Sequence, residues 1–151
     1  MALDKNIIVN GIKNLQASNP KNTADAAKGW SKFLYDYATG GMAGVCVPTF
    51  PSQPATLEKA LKGIMDSKTF LVLLGTNLAV MWMAAVWAGP SFTGVTAAAV
   101  GPSLDGVLAA IPPNAPEPEK KIADAIHNWT KTITVTLTNT ASGATSVAPV
   151  S

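Results

Sequence analysis

The most regular apolar pattern in the chain lies between residues 23 and 38. Its apolar side chains recur at helical spacing and form one continuous stripe: Ala26, Ala27, Trp30, Phe33, Leu34, Tyr37 and Ala38. Asp25 in the first turn suits the positive end of the helix dipole. Gly40-Gly41 follow the last turn, where glycine commonly ends a helix. The pattern predicts an amphipathic helix.

Two further stripes predict helices on either side of the middle of the chain. The first follows Pro54 and consists of Leu57, Ala60, Leu61, Ile64 and Met65. The second follows Pro118 and consists of Ile122, Ala125, Ile126 and Trp129. Proline suits the first turn of a helix at both places. Residues 1–20 have only rough helical spacing, broken by Asn10-Gly11, and predict a short helix or docking arm.

The period changes to 2 in the segment TITVTLT. Ile133, Val135 and Leu137 alternate there with threonines, which predicts a half-buried strand. Only weak candidates for a pairing strand exist, at residues 44–49 and 95–100, and TITVTLT has none of the charges that protect a sheet edge. We therefore expect its partner strand to come from another subunit. Residues 139–151 have the composition of a tail.

Residues 69–89, TFLVLLGTNLAVMWMAAVWAG, contain no charge. The run is long enough to cross a bilayer, and lysines precede it, as on the inner side of a span. However, Asn77 lies near its middle, and the amphipathic segments around it need something to pack on. We therefore favour a helix buried in the protein or between subunits, with Asn77 making buried hydrogen bonds. A bilayer span is the alternative.

These elements predict a single domain over residues 1–151 that is mainly α with a C-terminal β-strand (α+β). It is a small helical domain with one apolar central helix and extended termini. Its parts are an N-terminal arm or short helix (1–20), a helical core (22–111), a proline-rich linker (112–118), a helix plus strand (118–138) and a tail (139–151).

The scarcity of charge points to contact with neighbours. Only 13% of the residues are charged and 48% are apolar, whereas about 25% are charged in an ordinary soluble domain. Much neutral surface must therefore meet either a membrane or other proteins. The net charge is +2, and all 11 basic residues are scattered lysines. Without arginine, which recognises phosphates and guanine in a bidentate manner, we expect no nucleic-acid partner.

Candidate chemistry is sparse. His127 is the only histidine and Cys46 the only cysteine, so one chain can build neither a histidine-based nor a multi-cysteine metal site. His127 could act as a general base oriented by Asp124, but a histidine on a helix surface is the simpler interpretation, and no nucleophile motif accompanies it. We predict a non-enzymatic protein without cofactor or metal. The predicted interface residues are Trp30, Phe33, Trp82, Trp87, Trp129, Ile133, Val135 and Leu137.

The C-terminal half resembles small structural proteins of tailed-phage virions. The resemblance rests on VWAGPSFTGVT, on the small-residue stretch after it, and on IADAIHNWTKTITVTLT. It implies a multicopy subunit without catalytic residues, whose partners are copies of itself and other virion proteins. Such a subunit is assembled into the virion in the host cytoplasm. We favour the tail, baseplate or neck, because termini that reach between subunits suit stacked assemblies. A holin-like or ejected single-span protein, with residues 69–89 in the host membrane, is the alternative.

Overall fold

The computed structural model describes residues 2–99 and 101–151, and within them the chain forms six helices and five strands. In chain order these are α1 (Asn6–Ser18), α2 (Thr23–Ala38), β1 (Val47–Thr49), α3 (Ala55–Ile64), α4 (Phe70–Met83), β2 (Val86–Gly89), β3 (Phe92–Ala99), α5 (Leu104–Ala109), α6 (Pro118–Thr130), β4 (Ile133–Asn139) and β5 (Thr145–Pro149). The amphipathic helices predicted from the three stripes are confirmed as α2, α3 and α6.

The five strands form one antiparallel sheet in the order β1-β2-β3-β4-β5, so each strand lies beside its neighbour in the sequence. The long strands β3 and β4 make up its middle, whereas the short strands β1 and β5 are its edges. The inner face of the sheet carries Trp87, Val135 and Leu137, which are buried together with the apolar sides of the helices. The protein is therefore a two-layer α+β fold with helices on one face of the sheet.

The prediction of a mainly α domain with a single C-terminal strand is wrong. The uncharged run 69–89 is not one helix, because α4 ends at Met83 and β2 begins at Val86. The next segment, FTGVTAAA, is β3, joined to β2 by a turn in which Ser91 has a φ of 62°. A buried helix and a buried strand look alike in an apolar run, and strand pairing overrides the helix preference of the alanines.

The prediction that residues 139–151 form a tail is also wrong, since residues 145–149 form β5. β5 pairs with β4 from Thr134↔Pro149 to Thr138↔Thr145, and β3 pairs with the other side of β4. Ser151 exchanges two backbone hydrogen bonds with Met42, at 2.8 and 2.9 Å. The partner strand expected from another subunit is thus not needed, because β4 has both of its partners within the chain.

α4 is a core helix that packs closely on its neighbours. Leu74, Leu78, Met81 and Trp82 are at most 2% exposed. α5 approaches so closely at Gly75 that an added Cβ would lie 2.7 Å from the backbone nitrogen of Asp105. Asn77, which was expected to make buried hydrogen bonds, is only partly buried, and its Nδ2 donates to the Leu73 carbonyl of its own helix at 2.8 Å. Within the part of the chain that the structure describes, no helix has the length and apolarity to cross a bilayer.

Candidate interaction surface

Charge is strongly segregated between the two layers. Each of the 11 lysines and nine acidic residues lies in a helix or within two residues of a helix end. No charged residue lies in any of the five strands that the structure describes. The helical layer therefore carries the whole charge of the protein, and the sheet carries none.

The face of the sheet turned away from the helices is a continuous neutral surface. Directly paired residues point to the same side of a sheet, so the register defines transverse rows. One row consists of Thr49, Val86, Val95, Thr136 and Val147, and the next of Val47, Ala88, Thr93, Thr138 and Thr145. We call these ten residues, with Thr134 and Pro149 at the end of the β4–β5 pair, the outer sheet face.

The valines of the outer sheet face are open to solvent. Val47, Val86, Val95 and Val147 are 48% to 65% exposed. Single exposed apolar side chains are common on proteins and need no explanation. Here three of the four lie in one row that crosses the whole sheet, among threonines and alanine rather than charged residues. A contiguous neutral patch of this kind is typical of an interaction surface.

The core holds this face in place through the β2–β3 hairpin. Trp87 on β2 points inward and lies beside Gly94, where an added Cβ would be 3.0 Å from the Trp87 side chain and 2.9 Å from Leu137. The Trp87 Nε1 donates to Thr96 Oγ1 at 3.0 Å, and that hydroxyl donates to the Trp82 carbonyl at 2.8 Å. The rings of Trp82 and Trp87 stack with centroids 6.2 Å apart. The contacts on the inner face therefore attach the hairpin to α4. The side chains on its outer face take no part in them.

The edges of the sheet are less suited to binding than its face. β1 has three residues with Pro48 in the middle, and β5 has five residues and ends in Pro149. Proline has no N–H to donate to an added strand, and both proline and short length are common protections against edge pairing. These features disfavour the addition of a strand and leave the outer sheet face as the larger accessible surface.

The structure places most of the predicted interface residues inside the chain's own core. Seven of the eight are 8% exposed or less: Phe33, Trp82, Trp87, Trp129, Ile133, Val135 and Leu137. Trp30 is partly buried, with its ring centroid 5.0 Å from that of Phe33 and 5.3 Å from that of Phe70. These residues stabilise the fold. On the strands, the exposed positions are the residues next to them in the sequence.

Sequence reasoning missed Val86 because it placed the whole run 69–89 in one helix. It gave residues 44–49 and 95–100, which contain β1 and overlap β3, only as weak strand candidates, so Val95 was not placed beside the threonines of β4. The signal that could have located the surface is the absence of charge, which extends over residues 69–104 and 132–151.

The alternative in which Asp124 orients His127 as a general base is not supported, because both side chains have other partners. Asp124 Oδ1 accepts a hydrogen bond from Lys5 Nζ at 2.6 Å, and His127 Nδ1 lies 3.0 Å from the Tyr37 hydroxyl. Burial lowers the pKa of His127, and Lys131 and Lys5 lower it further. Burial also raises the pKa of the Tyr37 phenol far above its ordinary range. The pair joins α6 to α2, with Tyr37 buried in the core and His127 partly buried beside it.

Cys46 has the environment of a small apolar residue. Its side chain is fully buried, and burial raises the pKa of its thiol. Reactive cysteines instead have a lowered pKa and are accessible to solvent. The structure therefore gives this residue a packing role.

A second apolar depression, which we call the α4–α5 groove, has a volume of about 700 Å³. Val80 and Met83 line it on α4, Leu104 lines it on α5, and the charged residue Asp105 is at its side. Val80 is 63% exposed, nearly as much as Val95 on the sheet. The groove differs from the outer sheet face in having a carboxylate beside it.

No group of three or more His, Cys, Asp and Glu side chains that could hold a metal ion occurs in residues 2–99 and 101–151. Comparisons of the chain with known protein families, with curated proteins and with solved structures find no significant match.

Proposed function

We propose that this protein is a non-enzymatic structural subunit that assembles with copies of itself and with other proteins through the outer sheet face. The segregation of charge carries this proposal. The solvated face of an antiparallel sheet is ordinarily polar, and charged side chains commonly keep exposed strands from associating. Here the 20 charged residues are confined to the helical layer.

The energetics of association favour the same surface. Burying this face in a contact takes no charge out of water, so the largest desolvation cost is absent. Each exposed valine that is buried contributes on the order of 1 kcal/mol. The threonine hydroxyls can form hydrogen bonds across a contact, because each one both donates and accepts. The charged helical layer keeps the opposite side soluble.

The location proposed for the subunit is a tailed-phage virion, in the tail, baseplate or neck. The segments that resemble phage structural proteins, VWAGPSFTGVT and the TITVTLT end of the second one, form most of β2, β3 and β4. The resemblance therefore falls on the strands that build the outer sheet face. In a stacked assembly each subunit contacts its neighbours through repeated surfaces, which a neutral face on every copy can supply.

Size-exclusion chromatography with light scattering, in detergent-free buffer and over a range of concentrations, tests the assembly. We expect a mass that is a multiple of 15.6 kDa and that decreases on dilution. A monomer at every concentration contradicts the proposal, and recovery only in detergent would favour the membrane alternative. Mass spectrometry of virions purified from the host that encodes the chain tests the location, since a virion subunit is present in many copies per particle.

A further inference from the structure

We infer that the partner of the outer sheet face is the same face of a second copy, packed against it as a two-sheet sandwich with a two-fold axis near Val95. The inference rests on the proposed function and names the partner of that surface. In such an isologous contact each copy contributes the same residues, so the face must be complementary to itself.

The absence of charge selects this partner. A partner with charged groups would bury them against valines and threonines that cannot neutralise them, at a large cost in desolvation. A second copy always presents a matching neutral surface. The hydroxyls of Thr93, Thr136 and Thr138 can act as donors on one copy and as acceptors on the other. The absence of charge on the outer sheet face therefore disfavours contact with a charged surface of another protein. It is compatible with contact between two copies of the face.

The area of the face, counted over two copies, lies just below the small end of specific interfaces. Five strands spaced about 4.8 Å apart make a face about 24 Å wide, and the mean strand length gives it a height of about 18 Å. Each copy then contributes an area of about 430 Å² if the face is treated as a flat rectangle, without the protruding side chains. Two copies approach the ~1,000 Å² that a specific interface needs. A contact of this size is weak, so the isolated dimer should dissociate on dilution, whereas several such contacts acting together in one particle make the assembly stable.

The position of Val95 makes it the diagnostic residue. It lies on the central strand β3 and in the middle of the row from Thr49 to Val147. The two-fold axis that relates two packed sheets lies midway between them and parallel to both. If the axis passes over Val95, this residue faces its own copy, whatever direction the axis takes in that plane. Packed sheets lie about 10 Å apart, which is too far for a direct disulfide between facing strands.

Crosslinking of the variant Val95→Cys with a short bismaleimide linker tests the contact. The matched control is Val80→Cys, because the two valines are 65% and 63% exposed and lie on opposite layers. The wild type is the background, since its only cysteine is buried. We expect Val95→Cys to shift to twice 15.6 kDa on a denaturing gel, and Val80→Cys and the wild type to stay monomeric.

A second design covers the case in which Val95→Cys does not fold. The single variants Val86→Cys and Thr136→Cys are mixed in equal amounts before the linker is added. If the axis runs along the row, each variant links to its own copy; if it runs along β3, the two variants link to each other. In both cases a covalent dimer is expected, because both positions lie in the central row of the face.

Light scattering on the same samples before crosslinking separates the two levels of the proposal. A monomeric wild type overturns both the assembly and the self-contact. An oligomer that gives no dimer band at residues 95, 86 and 136 overturns the self-contact alone. The self-contact alone is also overturned if Val80→Cys links as efficiently as Val95→Cys, because the linking is then collisional. It is likewise overturned if Val80→Cys links and Val95→Cys does not, because the contact then lies at the α4–α5 groove.

Discussion

The hydroxyl oxygen of Thr96 lies 3.0 Å from the indole nitrogen of Trp87, and it accepts the only hydrogen that this nitrogen can donate. The same hydroxyl donates to the carbonyl of Trp82 at 2.8 Å. One side chain thus joins β3, β2 and the last turn of α4. Trp82 and Trp87 are at most 1% exposed and Thr96 is half-buried, so water has little access to these hydrogen bonds.

Thr96→Val keeps the shape of the side chain and removes both hydrogen bonds. The Trp82 carbonyl still accepts from the backbone N–H of Ala85 at 3.2 Å, so only the Trp87 Nε1–H is left without a partner. A buried donor without a partner costs about 1–3 kcal/mol, and we expect the free energy of unfolding to fall by that amount. Urea unfolding followed by tryptophan fluorescence measures the change. Thr96→Ser is the control, because it keeps the hydroxyl and should lose about 1 kcal/mol or less. Equal losses in the two variants would show that the hydrogen bonds contribute little.

Two glycines in helices should respond in opposite ways to alanine. Gly75→Ala places a Cβ 2.7 Å from the Asp105 backbone nitrogen, so α5 must move, and we expect a loss of about 1–3 kcal/mol. Gly63→Ala in α3 meets nothing within 4 Å, and it should gain about 0.5–1 kcal/mol from the better helix propensity of alanine. Thermal unfolding of both variants checks the signs. A neutral Gly75→Ala would mean that α4 and α5 are not in close contact.

Deletion of residues 140–151 should destabilise the whole fold. It removes β5, leaves one side of β4 unpaired, and empties the site of Val150, which is 1% exposed. We expect the free energy of unfolding to fall by at least about 3 kcal/mol, or the Tm by roughly 10 °C. Calorimetry of the truncated chain measures this. An unchanged Tm is the result that a mobile tail would give, and it would contradict the pairing of β5 with β4.

The stability of the protein should decrease when the pH is lowered through the range in which histidine titrates. Burial, Lys131 and Lys5 hold the pKa of His127 below its ordinary value of about 6.5, although Asp124 and Asp4 partly oppose this. The unfolded chain therefore binds the proton first as the pH falls. The contribution of neutral His127 is fully present above about pH 7, declines through about pH 6.5, and is lost below the folded pKa.

Urea unfolding of the wild type and of His127→Gln between pH 5.5 and pH 7.5, a range in which carboxylates stay ionised, measures this slope. We expect the slope in the wild type and little or none in His127→Gln. Tyr37→Phe serves as a second variant, because it removes the hydroxyl that lies 3.0 Å from His127 Nδ1 and keeps the ring. The same slope in His127→Gln as in the wild type would assign the pH dependence to another group.

The parts of the fold that the sequence predicts are those with a polar face opposite an apolar one. α2, α3 and α6 each have lysines or acidic residues outside a stripe, and β4 alternates strictly between apolar residues and threonine. α4 and β2 have no charged residue to show the period, so their boundary at residues 84–85 could not be located. β5 has Val147 as its only large apolar side chain, which is too little to indicate a strand.

The candidate surface could not be predicted because it depends on register. Val86, Val95 and Val147 are separated by nine and 52 residues along the chain. They become neighbours in one row only when β2, β3, β4 and β5 are aligned as observed. The low charge led to the expectation that the protein contacts neighbouring proteins, but it did not indicate on which side. The large apolar residues chosen as interface anchors were instead used to build the core.

Sedimentation equilibrium of Val95→Lys beside Val80→Lys tests most directly whether the outer sheet face mediates assembly. Both variants add one charge at a valine of similar exposure, on the sheet and on α4 respectively. The loss of strand propensity at residue 95 costs at most about 1 kcal/mol, and circular dichroism verifies that both variants fold. We expect Val95→Lys to sediment as a 15.6 kDa monomer and Val80→Lys to keep the mass of the wild-type oligomer. An unchanged oligomer in Val95→Lys would show that assembly does not use this face.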